Sequence, residues 1–169
     1  MKTLKALILV ILFISPLSVL AQTVSVQRAK IVEYGLYDIG SNTTTHVEEH
    51  TQSGTATKVR KITFKKQTKN VPGTIGTSFG FRYLVKGKPK GQKINLKIIN
   101  IFPAPGMTNP KTGKNFKIEK LVFTHTIGTM PFATYTFDND WEIIHGDWTM
   151  QVWYNEQKLL EITFMVKKP

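Results

Sequence analysis

The sequence predicts an all-β protein, an antiparallel β-sandwich of immunoglobulin-like architecture with about eight strands behind an N-terminal signal peptide. Hydrophobic alternation with a period of two dominates the chain. Phe79, Phe81, Tyr83 and Val85 alternate with Gly80, Arg82 and Leu84, and Ile94, Leu96 and Ile98 alternate with Lys93, Asn95 and Lys97. Such a period sends one set of side chains to a core face and the other to solvent. β-branched and aromatic residues are dense, turn residues recur between the runs, and no window carries capped helical spacing.

At the N-terminus, Lys2 and Lys5 precede nine unbroken apolar residues, Ala6 to Ile14. Pro16 follows, and Val19-Leu20-Ala21 offers a small-residue cleavage site. The run is shorter than the roughly 20 residues of a spanning helix. It is therefore read as a signal peptide over 1–21, cleaved after Ala21. A single β-sandwich domain is expected over 22–169, secreted or periplasmic, with no transmembrane helix in the mature chain.

Strands are expected at 26–39, 43–50, 57–66, 76–86, 92–101, 116–125 and 132–138, followed by a hairpin of 147–154 and 158–166. The hairpin is the best specified element. With a turn at Asn155-Glu156-Gln157, the pairs Tyr154/Lys158, Val152/Leu160, Met150/Ile162 and Trp148/Phe164 match in character on one face. A slip of one residue would set Trp148 against Thr163. Trp148 then faces the core. Trp153 faces outward opposite Leu159, where a tryptophan can anchor a partner. Phe102 to Asn115, with Pro103, Pro105, Gly106, Pro110 and Gly113, reads as one long irregular loop.

The order of several motifs resembles a known family. Gly35-Leu36-Tyr37 comes early, Phe79-Gly80-Phe81 opens a strand, and the proline–glycine loop of Pro103 to Gly113 follows. Gly146-Asp147-Trp148 precedes Gln151-Val152-Trp153-Tyr154 and a terminal Phe164-Met165-Val166. Over most of residues 30–166 this is similar to small secreted bacterial proteins classed only as a domain of unknown function. The resemblance implies a β-sandwich and an envelope or secreted location. It implies no catalytic residues.

Charge is the most uneven feature. The formal net charge is +12. Residues 50–118 contain 15 Lys and Arg and no Asp or Glu. With Ile62 and Phe64 inward, Lys61 and Lys65 would point out. Arg82 would do so between Phe81 and Tyr83, and Lys93 and Lys97 would do so around Ile94 and Leu96. If these strands are neighbours, five cations share a solvated face that attracts polyanions. Lysine outnumbers arginine in this segment, which suits diffuse attraction better than bidentate recognition. The partners this implies are an anionic envelope polymer, lipid headgroups or an acidic protein. No nucleic acid is expected, because no aromatic platform for bases interleaves with the cations.

Catalytic chemistry has thin support. The chain has no cysteine, which excludes thiolate zinc sites and cysteine nucleophiles. Ser25, Ser41, Ser53 and Ser78 lie in no nucleophile elbow. His46, Glu48 and His50 would share one face of a strand and could hold a zinc or copper ion. They are the weak metal candidates. Asp138-Asn139-Asp140-Trp141-Glu142 lacks the glycine of a calcium loop and reads as a solvated turn. The expectation is a binding or interaction module with no cofactor and no enzymatic activity. Two alternatives stay open: a binder of anionic envelope polymers or headgroups through the basic face, and a metal-dependent enzyme using His46, Glu48 and His50.

Overall fold

The computed structural model describes residues 23–40, 43–47, 55–59 and 61–168, and within 43–59 only backbone pairing. In chain order the strands are β1 (Ser25–Ile39), β2 (Thr43–Val47), β3 (Thr55–Val59), β4 (Ile62–Lys66), β5 (Asn70–Pro72), β6 (Ser78–Lys88) and β7 (Lys93–Ile101). There follow β8 (Met107–Thr108), β9 (Asn115–Phe116), β10 (Ile118–Thr126), β11 (Phe132–Thr136), β12 (Gly146–Tyr154) and β13 (Gln157–Lys167), with a short 3₁₀ turn at Asp140–Glu142 between β11 and β12. The signal-peptide reading of 1–21 falls outside the described residues.

Two sheets stack face to face. One runs β11-β6-β1-β4 and the other β10-β7-β12-β13-β5, while β2-β3 and β8-β9 form separate small hairpins. All pairings are antiparallel except that of β13 with β5. Between the sheets lie the inward sets the alternation marks: Phe79, Phe81, Tyr83 and Val85 from β6, Ile94, Leu96 and Ile98 from β7, Trp148, Met150 and Val152 from β12, and Ile162, Phe164 and Val166 from β13. Trp148 is the hub. Its ring meets Phe102, Tyr135, Phe137 and Phe79 at centroid distances of 4.9, 5.0, 5.4 and 5.7 Å. Its indole N–H donates to the Ile144 carbonyl at 2.7 Å. Edge-to-face aromatic contacts of this kind add about 0.5–1.5 kcal/mol each beyond the area they bury.

The two glycines of the early motifs stand opposite each other. Gly35 pairs with Gly80 across β1 and β6, and both have positive φ, 141° and 151°. A Cβ on Gly35 would collide with the Lys66 carbonyl of β4, and one on Gly80 with the Ala133 carbonyl of β11. Both flanking strands therefore close in on the pair. β1 is long enough to need bulges, and at one of them Val32 is left unpaired between Ile31 and Glu33, 51% exposed.

The hairpin register holds at Val152/Leu160, Met150/Ile162 and Trp148/Phe164. It breaks one step later. Asn155 takes φ 51°, the turn closes on Tyr154/Gln157, and Trp153 lies opposite Lys158. Leu159 is thus the extra residue of a bulge, and asparagine is the side chain that tolerates the left-handed turn.

Three expectations need correction. The strand expected at 57–66 is two strands, β3 and β4, in different sheets. Ile62 and Phe64 do not face the core. They pair with Ile39 and Tyr37, and Tyr37 pairs with Ser78, which has the opposite parity to Phe79. Tyr37, Phe64 and Phe132 form an aromatic cluster on the outer face of the four-stranded sheet, with centroids 5.6 and 5.8 Å from Tyr37. The 102–115 stretch is irregular over most of its length but is organised by a minimal hairpin. It folds as β8-β9, closed by Asn109 N–H to the Lys114 carbonyl at 2.9 Å and Phe102 N–H to the Lys117 carbonyl at 2.9 Å. Met107 plugs it into the core, fully buried, where its sulfur accepts from the Tyr135 hydroxyl at 3.7 Å.

Candidate binding surface

The five cations do not share one face. Lys61, Lys65 and Arg82 belong to the four-stranded side, whereas Lys93 and Lys97 lie on β7 in the other sheet. Because Ile62 and Phe64 face outward, Lys61 and Lys65 take the opposite parity to that expected. Both are exposed at the β4 edge. Arg82 is half-buried and engaged: its guanidinium sits 5.2 Å from the Phe132 centroid, and its Nε donates to the Met130 carbonyl at 3.4 Å. It pairs across β1 with Glu33. Arg82 is part of the outer aromatic cluster and gives no open anion contact.

Lys93 and Lys97 do join a coherent surface, with neighbours the sequence did not single out. β10 pairs with β7 over nine consecutive positions without a register shift. This sets Val122 beside Lys97, Lys120 beside Ile99, and Ile118 beside Ile101. β12 continues the rows on the other side, with Trp153 beside Lys97 and Gln151 beside Ile99. The outer face of the five-stranded sheet thus carries Lys93, Lys97 and Lys120 around Ile99, Ile101, Ile118, Val122 and Trp153. Val122 is 61% exposed and Ile118 48%. No exposed acid lies on β7 or β10, since Glu119 is turned inward and 3% exposed.

Trp153 faces outward as expected, though half-buried and opposite Lys158 instead of Leu159. Its indole N–H donates to Gln151 Oε1 at 2.8 Å. Gln151 Nε2 donates to Glu161 Oε2 at 2.7 Å, which also accepts from Lys158 Nζ at 2.7 Å. The chain of bonds fixes the indole plane. The Lys158 ammonium and the Gln151 amide hold the Glu161 carboxyl below the usual glutamate range.

His46 lies on β2 opposite Ala56, while Glu48 and His50 fall outside the described residues, so the proposed trio has no geometry to report. No group of three or more potential metal-binding side chains gathers among the described residues. Glu33 and Glu161 line a shallow depression of about 320 Å³ with Tyr34, Gln67 and Lys69. Glu161 is kept ionised by its partners, which is the wrong tendency for a general acid. Glu142 is not part of a solvated turn. It is 2% exposed and ties the 138–143 turn together, accepting from Asp138 N–H and Asn139 Nδ2 at 2.8 Å each. Burial raises its pKa. His125 faces the interior beside Tyr83 and Phe123, and burial lowers its pKa.

Residues 25–166 match the model of a family described as a domain of unknown function, DUF3859. The chain belongs to this family. Its structure is similar to the crystal structure of an immunoglobulin-like protein from Pseudomonas aeruginosa, with a TM-score of 0.58 and 24% identity over 83% of this chain and 98% of that one. At that identity the likeness shows the fold alone. No curated protein matches the chain. The Gly35–Gly80 pair and the Trp148 hub account physically for two motifs that carried the family resemblance.

Proposed function

We propose that this DUF3859 protein is a non-enzymatic binding module that acts outside the cytoplasm and holds an anionic partner on the outer face of its five-stranded sheet. The observation that carries the reading is the row Val122–Lys97–Trp153. In it a cation lies between an exposed apolar side chain and a bond-fixed indole; β7 and β10 carry no exposed acid, and the exposed acid of β12, Asp147, lies at the far end of its strand from Trp153. A lysine on such a face keeps its attraction for anions, because no neighbouring carboxylate on β7 or β10 competes for it. The apolar neighbours add contact area that a purely cationic surface lacks. The leader at Lys2 to Ala21 supports the location, where anionic polymers and acidic envelope proteins are the available partners.

The test is retention of the purified protein on heparin or lipopolysaccharide, titrated with salt. Binding is expected at about 0.15 M salt with a steep salt slope. It should be lost in a Lys93→Glu/Lys97→Glu/Lys120→Glu variant and retained in Lys61→Glu/Lys65→Glu. Equal retention by the two variants would refute the assignment to this face.

A further inference from the structure

The open edges of the two sheets are unequal. β4 and β11 are five residues long, and β5 is three residues with Pro72 in it. β10 is nine residues long, free of proline and glycine, unbulged, and paired on one side only among the described residues. Short strands, prolines and bulges are the usual guards on sheet edges. β10 has none of these and a single outward lysine, Lys120.

The pairing with β7 fixes which backbone groups β10 presents. Phe102 N–H donates to the Lys117 carbonyl and Ile127 N–H to the Gln92 carbonyl. An antiparallel ladder alternates from such pairs. Residues 119, 121, 123 and 125 therefore bond to β7, and Ile118, Lys120, Val122 and Thr124 turn N–H and C=O to the open edge. On the inner side of the same edge, Leu121 and Phe123 pack against the core but remain only half-buried. Among the described residues nothing closes the sandwich there.

We infer that β10 receives an extended segment of an acidic partner protein as an added strand. This rests on the cationic reading of the outer face and specifies the partner. Main-chain bonds to residues 118–124 would supply register. Acidic side chains on one face of the segment would lie beside Lys120 and within reach of Lys97, and apolar ones on the other would cover Leu121 and Phe123. A second copy of this chain is the poorer occupant: pairing β10 with itself would set two lysine-bearing faces side by side in a protein of formal net charge +12.

The test uses a blocked peptide of alternating glutamate and valine, about nine residues long to match β10, and a control of equal composition with the glutamates and valines in separate blocks. The alternating peptide should bind about tenfold or more tightly than the control, and amide exchange at Lys120, Val122 and Thr124 should slow. Val122→Pro, whose lost N–H faces the edge and not β7, should weaken binding by a similar factor. Because that variant could also disturb folding, two N-methylated peptides probe the unaltered protein. Methylation on the glutamates should abolish binding if the segment runs antiparallel, and methylation on the valines if it runs parallel. Binding indifferent to both methylations, with unprotected edge amides, overturns strand addition. Salt-sensitive heparin binding without peptide binding also overturns it and leaves the cationic face standing. Failure of both heparin and peptide to bind overturns both.

Discussion

Asn100 and Glu119 face each other across β7 and β10 inside the sandwich, with the amide donating to the carboxyl at 2.8 Å. Both are nearly fully buried, 4% and 3% exposed. They take the inward parity that Ile98 and Leu121 hold one step along, so a polar pair occupies a position where the alternation would place an apolar one.

Asn100→Ala removes a donor from a buried carboxyl. A loss of about 1–3 kcal/mol in unfolding free energy is expected from urea titration. A change below a few tenths would mean that Glu119 does not depend on this amide.

Gly80→Ala should cost more than its conformational strain alone. The new methyl meets the Ala133 carbonyl, and the strands cannot part without losing their ladder, so about 2–4 kcal/mol is expected. Gly113→Ala is the comparison, with φ 68° and open space around the site, where about 1 kcal/mol is expected. Melting temperatures of the two variants should separate accordingly.

Met107→Ala empties the anchor of the β8-β9 hairpin. About 2–5 kcal/mol should be lost, and amide exchange across 103–116 should rise before that of β12 and β13. Uniform protection loss would show that the hairpin opens only with the whole sandwich.

His125 gives the fold a pH response of definite sign. Burial holds its pKa below the ordinary 6.5, so below 6.5 the unfolded chain binds a proton that the native chain resists. The contribution of His125 is therefore present above 6.5 and is lost as pH falls toward the lowered value, by at most about 1.4 kcal/mol per pH unit. His125→Phe, flanked by Tyr83 and Phe123, should flatten this part of a stability–pH profile. An unchanged slope would assign it to other groups.

Much of the fold was legible because alternation reports which residues share a face. Phe79 to Val85, Ile94 to Ile98 and Trp148 to Val152 all go inward as read. Alternation does not report which face is inside. Ile62 and Phe64 keep the right period and face the wrong way, because Tyr37 and Phe132 build a second aromatic cluster outside the sheet. Nor does it report sheet membership, which is why Lys61, Lys65 and Arg82 were grouped with Lys93 and Lys97 across two layers. Lys120 escaped notice because it lies just past Glu119, where the acid-free segment ends. Gln151 beside Trp153 follows from the alternation, but Lys158 opposite it does not, because the register shifts at the Leu159 bulge next to the turn.

The parallel pairing of β5 with β13 bears on the order of folding. Asn70, Val71 and Pro72 align with Met165, Val166 and Lys167, and Met165 N–H donates to the Lys69 carbonyl at 2.7 Å. β5 must wait for a strand that follows it by more than 80 residues, and β12 pairs with the same neighbour. No N-terminal fragment can complete the five-stranded sheet. Closure of the five-stranded sheet is thereby deferred until β13 is available, with the slow kinetics of long-range strand pairing.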